Sequence, residues 1–411
     1  MTETSREQTQ TMVRILFVED DPDSLENLRQ TLEVMRDTWA MDFAASGAEA
    51  ILLVHKNAYD VVVTDNLAGS ISGLEVLSKF TERQPQGIRF VLSGEPTKES
   101  SVQLAGSVHQ QLLKPCEPGE LRDAVHRAVG LRDVLTNPRL QSLVSRMQAL
   151  PSMPSVYLDL VDELRREDPS PEAIGRIISQ DMGMCAKMLQ LVNSAFFGLL
   201  QPVTKPEEAV MYLGLDTVKA LVFSLQIFAL FGRDPSLEVA IDQLWKHSWR
   251  TGKIAQRLSA LECPDKPDMG DQAMMCGLLH DVGKLVLRTG LGAQYRGVLA
   301  LTESKHITIR EAELEVFGST HAEVGAYLLG LWGLPNPIVE AVAFHHQPVD
   351  GPDAPFNLVI AVHVANLLDH EMSSQSGPVR PEDLEYLTKV GLAERYAEWR
   401  RVISEVSRIR R

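Results

Sequence analysis

The stretch GLLHDVGKLVL, Gly277 to Leu287, sets His280 beside Asp281 in an apolar frame, with Gly283 and Lys284 directly after. Both side chains are costly to bury unless something satisfies them. Further histidines fall on neighbouring segments: His247 in LWKHSWR, His321 opening HAEVGAYLLGLWG, and His345 and His346 closing NPIVEAVAFHHQP. A single one of these is an ordinary core residue. The whole series, with Asp281 among it, points to a metal. Imidazole and carboxylate suit Fe, Mn, Zn or Ni. Two ions about 3.5–4 Å apart could share Asp281 and activate a water between them. The competing reading is a hydrogen-bonded core network of the same residues with no metal.

A second set of reactive groups lies nearer the N-terminus. Four apolar runs end on polar residues: VRILFV on Glu19-Asp20-Asp21, YDVVVTD on Asp65, IRFVLSG just past Ser93, and HQQLLKP on Lys114. Carboxylates gathered in one place need a cation to offset them. All-oxygen ligands suit a hard ion such as Mg²⁺, so Glu19, Asp20 and Asp65 are candidate ligands. Asp65 is the candidate nucleophile for an acyl phosphate, with Ser93 and Lys114 placed to hold the phosphoryl oxygens. Each residue alone would pass for a helix cap or a turn.

These groups need elements to position them. The N-terminal runs lack strict alternation, as strands buried on both faces do. Helical patterns such as DSLENLRQTLEVM and GLEVLSKFTER lie between them. The alternation predicts a doubly wound, parallel, five-stranded α/β domain, which binds ligands outside the carboxyl ends of its strands. From Pro151 onward strand signals give way to helical spacing, so an all-α domain should carry the histidines. The expected organisation is a flexible segment 1–12, an α/β domain 13–130, a linker helix region 131–150, a helical domain 151–351, and C-terminal helices 352–411 packing on it.

Composition agrees. A chain of 411 residues suggests two or three domains, and 44% hydrophobic with 23% charged residues is globular. The net charge of −15 argues against broad nucleic-acid binding. The basic end EWRRVISEVSRIRR reads as a solvated helical face. Four cysteines without a C-x-x-C pair suggest reduced thiols. The first dozen residues lack the apolar core of a signal peptide, and the apolar run Ala220 to Phe231 is too short to span a bilayer. A cytoplasmic protein without membrane contact is expected.

Two resemblances follow from these motifs. The strand-end set resembles the receiver domain of two-component response regulators over nearly all of Met12 to Gly130. That implies Mg²⁺ held by Glu19, Asp20 and Asp65, phosphorylation of Asp65 by a sensor histidine kinase, and relay through Ser93 and Lys114. The chain departs from the family at Ala68-Gly69, where a Met-Pro pair is usual, and at Gln111, where a switch aromatic is usual. The histidine order resembles the HD superfamily of metal-dependent phosphohydrolases. Within it, ISQDMGMCAKMLQLVNSAFFG and AVMYLGLDTVKALV are similar to the HDOD family, over about Leu140 to Pro348.

That likeness implies an output module acting on an unknown downstream protein, with a homodimer as an option. The alternative is a receiver-controlled phosphodiesterase acting on a cyclic dinucleotide, since His247, His280, Asp281, His321, His345 and His346 match metal positions of the HD-GYP phosphodiesterases. In that case His345, His346 and Lys284 would bind or polarise phosphate. Against it, Gln347 replaces a glutamate, Asn366 stands at the last aspartate, and Gln243 replaces an acidic ligand seen in some relatives. His363 shares a helix with Asn366. His55, His109, His126, His306 and His370 are expected on the surface.

Overall fold

The computed structural model describes residues 12–65, 71–94, 107–152, 154–166, 168–194, 199, 201–223, 229–230, 235–351, 356–373 and 386–409. The Ala68-Gly69 departure, the Gly198 end of LVNSAFFG and part of the apolar run before Phe231 lie outside them. The chain divides after Val129 into two compact units, described here separately.

In the first unit, β1 (Val13–Val18), β2 (Trp39–Ala44), β3 (Val61–Asp65), β4 (Ile88–Ser93) and β5 (Gln110–Leu113) form one parallel sheet in the order β2-β1-β3-β4-β5. All six residues of β4 and the last four of β1 are buried. Burial on both faces explains continuous apolar runs in place of alternation. Leu16, Val62 and Val91 pack with Ala50 and Val54 of α2 (Gly47–Lys56) and Val76, Leu77 and Phe80 of α3 (Gly73–Arg83). The strand order reverses between β1 and β3, so the ends carrying Glu19 and Asp65 flank the crevice where such sheets bind ligands.

Among its described residues the second unit is helical apart from a parallel pair, Pro151–Ser152 with Ala229–Leu230. Two-residue strands are too short for periodicity to register, so the all-α expectation missed them. The long helix Pro235–Glu262 packs on Pro267–Leu279 and on Leu358–Met372. Gly277 makes the first contact possible, because a Cβ there would lie 2.6 Å from Gly252 Cα. Helix Val282–Gly290 then crosses His321–Leu331 at Gly283, where a Cβ would overlap the His321 carbonyl oxygen. These two approaches bring His247, Asp281 and His321 together from three helices.

The basic C-terminal helix, Ala393–Ile409, is not simply solvated. Trp399 is buried and donates to Glu262 at 2.8 Å, Arg395 also meets Glu262, and Arg400 meets Glu371 at 2.5 Å. No described helix is long and apolar enough to cross a membrane.

Candidate functional sites

In the first unit, strand ends carry the groups. Asp21 caps the helix Pro22–Thr31, its carboxylate accepting from Ser24 N at 2.9 Å, and hydrogen bonds from the Ser24 side chain and backbone hold its carboxyl below the usual range. Glu19, at the end of β1, is buried, and Lys114, just past β5, donates to it. The same Lys114 ammonium donates to Asp65 Oδ2 at 2.7 Å. Its backbone N–H donates to the Ser93 carbonyl at 2.9 Å, which locks the end of β5 to the end of β4. Burial raises the Glu19 carboxyl above its ordinary range, although the hydrogen bond and charge of Lys114 oppose this. Burial pulls the Lys114 ammonium down, but its bonds to Asp65 and Glu19 win and hold it above the usual range.

One ammonium thus serves both Glu19 and Asp65. The raised Glu19 carboxyl reflects its burial, and the oxygen-only donors of Glu19, Asp20 and Asp65 are of the type that suits a Mg²⁺ ion. Glu19, Asp20 and Asp65 do not form a set with ligand atoms all within 4.8 Å; among the described residues such sets occur only in the helical unit. Gln111 is buried on β5, where the sequence departs from the receiver pattern.

In the helical unit, Asp281, His321, His345 and His346 offer ligand atoms within 4.8 Å of one another, and so do His247, His280 and Asp281. Asp281 belongs to both sets. Its Oδ1 lies 3.3 Å from His321 Nε2 and 3.7 Å from His345 Nε2; its Oδ2 lies 3.5 Å from His280 Nε2 and 3.6 Å from His247 Nε2. Lys284 Nζ donates to Oδ2 at 2.6 Å.

The outward nitrogens set the tautomers. Nδ1 of His280 meets the Gly277 carbonyl at 2.7 Å, Nδ1 of His345 the Val342 carbonyl at 2.8 Å, Nδ1 of His247 the Asp369 carboxylate at 2.7 Å, and Nδ1 of His321 the Glu313 carboxylate at 2.6 Å. Each acceptor requires a proton on Nδ1, so in a neutral ring the lone pair sits on Nε2 and faces the cluster. Burial drives the His280 imidazole down to about 3 and those of His345 and His346 well below the usual range, so these rings are neutral. Burial also acts on His321, but the Glu313 charge outweighs it and holds that ring above the ordinary value. Burial pushes the Asp281 carboxyl up, and the facing His280, the Lys284 ammonium and His321 more than offset it.

Nε2 of His247, His280 and His345, Oδ1 of Asp281 and Oδ1 of Asn366 are all buried without a hydrogen-bond partner. His321 Nε2 and His346 Nε2 stand 2.9 Å apart, a spacing that needs a shared proton or a cation. Lys284 and His321 supply protons within the cluster, but the Nε2 acceptors of His247, His280 and His345 stay unmet, and converging acceptors of this kind fit a divalent transition ion.

Several residues behave differently from expectation. Glu313 and Asp369 orient His321 and His247 from behind, an arrangement typical of metal-ligating histidines. Neither was found from sequence. Glu313 shares a buried helical face with Phe317, four residues on, which was its only signal. Asp369 lies one turn past Asn366 and also accepts from Arg250, at 2.6 and 3.0 Å. His370 is no surface residue: its ring packs 4.8 Å from that of His247, and burial lowers it to about 4. His109 is buried as well, its Nδ1 accepting from Arg89 N at 3.0 Å. His363 is buried and its Nδ1 meets the His345 carbonyl at 2.8 Å. Gln243 is exposed, and Gln347 is exposed with its amide oxygen on Arg310, so neither faces the cluster.

Comparison with known proteins assigns both units. A response regulator receiver domain model matches residues 15–126, and an HDOD domain model matches 150–348. An uncharacterized protein of Treponema pallidum (strain Nichols) is 29% identical over 234 residues, which are 55% of this chain and 43% of that one. The hydrogenase transcriptional regulatory protein HoxA of Cupriavidus necator is 32% identical over 118 residues, 28% of this chain and 24% of that one. This chain thus spans less than half the length of either relative. Among solved structures, the MmoQ response regulator from Methylococcus capsulatus str. Bath aligns with a TM-score of 0.46 at 22% identity, over 61% of this chain and 97% of that one.

Proposed function

Because the chain joins a response regulator receiver domain to an HDOD domain, we propose that phosphorylation of Asp65 controls an HDOD output that acts by binding another protein. The observation that carries this is the Lys114 ammonium held by Glu19 and Asp65 at the strand ends. A phosphodonor such as a sensor histidine kinase supplies the group. An Asp65 carboxylate oxygen forms the new bond to phosphorus, and the donor nitrogen leaves with its electron pair. Glu19, Asp20 and Asp65 would hold a Mg²⁺ ion, which would supply charge neutralisation for the phosphoryl oxygens. Lys114 then has a better acceptor than the bare carboxylate, and Ser93 offers a hydroxyl at the end of β4. The switch follows from that exchange of partners, since a modification moves an equilibrium only through contacts that differ between its states. Such a module works in the cytoplasm, alone or as a homodimer. Treating the full chain with acetyl phosphate and Mg²⁺, followed by intact mass measurement, should add one phosphoryl group. A pull-down from wild type and Asp65→Ala should then recover different partners; identical recovery overturns the proposal.

The unpartnered acceptors favour a second component. A transition ion, Fe, Mn, Zn or Ni, would be held by His247, His280, Asp281, His321, His345 and His346 and would supply Lewis acidity. Asp281, His280, His321 and His345 are fully buried, which favours a small ion over a bulky cyclic dinucleotide as their partner. The reading favoured here is a metal that braces the output module, with hydrolysis as the alternative. Turnover of a cyclic dinucleotide by Mn²⁺-loaded protein would reverse that preference.

A further inference from the structure

The histidine cluster is nearly symmetric about one carboxylate. His321 and His345 face Asp281 Oδ1, and His280 and His247 face Oδ2, all at 3.3–3.7 Å. Such a layout has room for two ions bridged by Asp281. One side chain breaks the symmetry. Lys284, one helical turn along from Asp281, places its ammonium 2.6 Å from Oδ2 alone. Both partners are buried, so the pair is held by packing.

Resting on the metal reading above, we propose that Lys284 is a built-in cation that takes the place of a second ion, so that this site holds one transition ion, on the Oδ1 side. Three further observations agree. The Oδ1 side offers four ligands, Asp281, His321, His345 and His346, enough for a closed set. The Oδ2 side offers His247, His280 and an oxygen already engaged by an ammonium. The carboxylates in reach also limit the charge. Arg250 already takes Asp369 and Lys284 takes Asp281, leaving Glu313 behind His321. One dication overbalances what remains, and a second would lie against the ammonium in a dry interior.

The test is a Co²⁺ titration of the full chain after chelator treatment, read by visible d–d absorption. Imidazole-bound Co²⁺ of low coordination number absorbs strongly, whereas Co²⁺ held octahedrally by the receiver carboxylates absorbs weakly. Wild type should saturate at one equivalent. Lys284→Met should saturate at two, its second equivalent binding at least tenfold more tightly than any further binding to wild type. Lys284→Arg, which keeps the charge, should remain at one. Two equivalents in wild type, or one in Lys284→Met, overturns the proposal while leaving the metal site itself intact. Absence of the band in every protein defeats the metal reading, and this inference with it. If Lys284→Met does not fold, judged by circular dichroism, Lys284→Gln takes its place, and the wild-type stoichiometry decides independently.

Discussion

The two units carry the same pair in different surroundings. Lys114 meets Asp65 at 2.7 Å, and Lys284 meets Asp281 at 2.6 Å. In the receiver the partners come from different strands, and each keeps 24% of its side chain exposed. In the helical unit they lie one turn apart, and the Asp281 side chain has no exposed surface. A half-buried pair between separate strands can be broken and remade by an incoming phosphoryl group at modest cost, because water still reaches and stabilises the separated charges. A buried pair cannot, since separating it strands a charge in a medium of low polarity. The first arrangement suits a transient covalent signal, and the second suits a permanent structural charge.

The largest effect that separates them is chemical. Asp65→Ala should abolish phosphoryl uptake from acetyl phosphate, measured by intact mass. Asp281→Ala should leave uptake unchanged, although it removes the carboxylate from the equivalent pair. Loss of uptake in Asp281→Ala would mean that the two pairs are not independent, and the contrast would fail.

Next in size is a packing effect confined to the helical unit. Gly283→Ala drives a methyl group into the His321 carbonyl. Forcing backbone apart at a helix crossing should cost about 3 kcal/mol and shift His321 away from Asp281. Denaturant unfolding should show a lowered midpoint for this unit, with phosphoryl uptake by the receiver retained. An unchanged midpoint would show that the crossing is loose, and with it the rigid setting assigned to Asp281.

Smaller still is the effect of Glu313→Gln. The amide fits the same space but loses the charge behind His321. Removing such an outer partner of a metal-ligating histidine typically lowers affinity by about 10–100-fold, so Co²⁺ binding should weaken in that range with the fold intact. Equal affinity in variant and wild type would make Glu313 a packing residue only.

The same contrast explains what the sequence displayed. The receiver sites were legible because each functional group ends a strand, and buried parallel strands are apolar runs that stop abruptly. Glu19, Asp65, Ser93 and Lys114 therefore stand out at visible boundaries. In the helical unit the candidate ligands were legible, because His280-Asp281 and His345-His346 are unusual in apolar helices. Their supports were not. Glu313 is one of three acidic residues in REAELEVF, and only the crossing of two helices selects it over Glu311, which completes a capping box instead. His370 was expected on the surface, yet the packing of Leu358–Met372 on Pro235–Glu262 turns it onto His247. Helical periodicity tells which face is buried, not which neighbour it meets.

A third lysine gives the comparison its reference point. Lys187 lies in the apolar helix Met182–Val192 and is almost fully buried. It donates to the Gln148 carbonyl at 2.8 Å and to Gln190 Oε1 at 2.9 Å, and lies 5.2 Å from the centre of the Trp332 ring. Burial pulls its ammonium down from 10.5 to about 7. Between those values the unfolded chain holds the proton and the folded chain does not, so stability should rise with pH there, by at most about 1.4 kcal/mol per pH unit. Below pH 7 both states are protonated, and the penalty of the buried charge is present in full. Lys187→Met removes the titrating group, so the difference in unfolding free energy between variant and wild type should shrink steadily from pH 7 to pH 10. A difference that stays constant would show that neutral acceptors and an aromatic face hold a buried ammonium as well as a carboxylate does. In that case the contrast between the two lysine–aspartate pairs would rest on exposure alone.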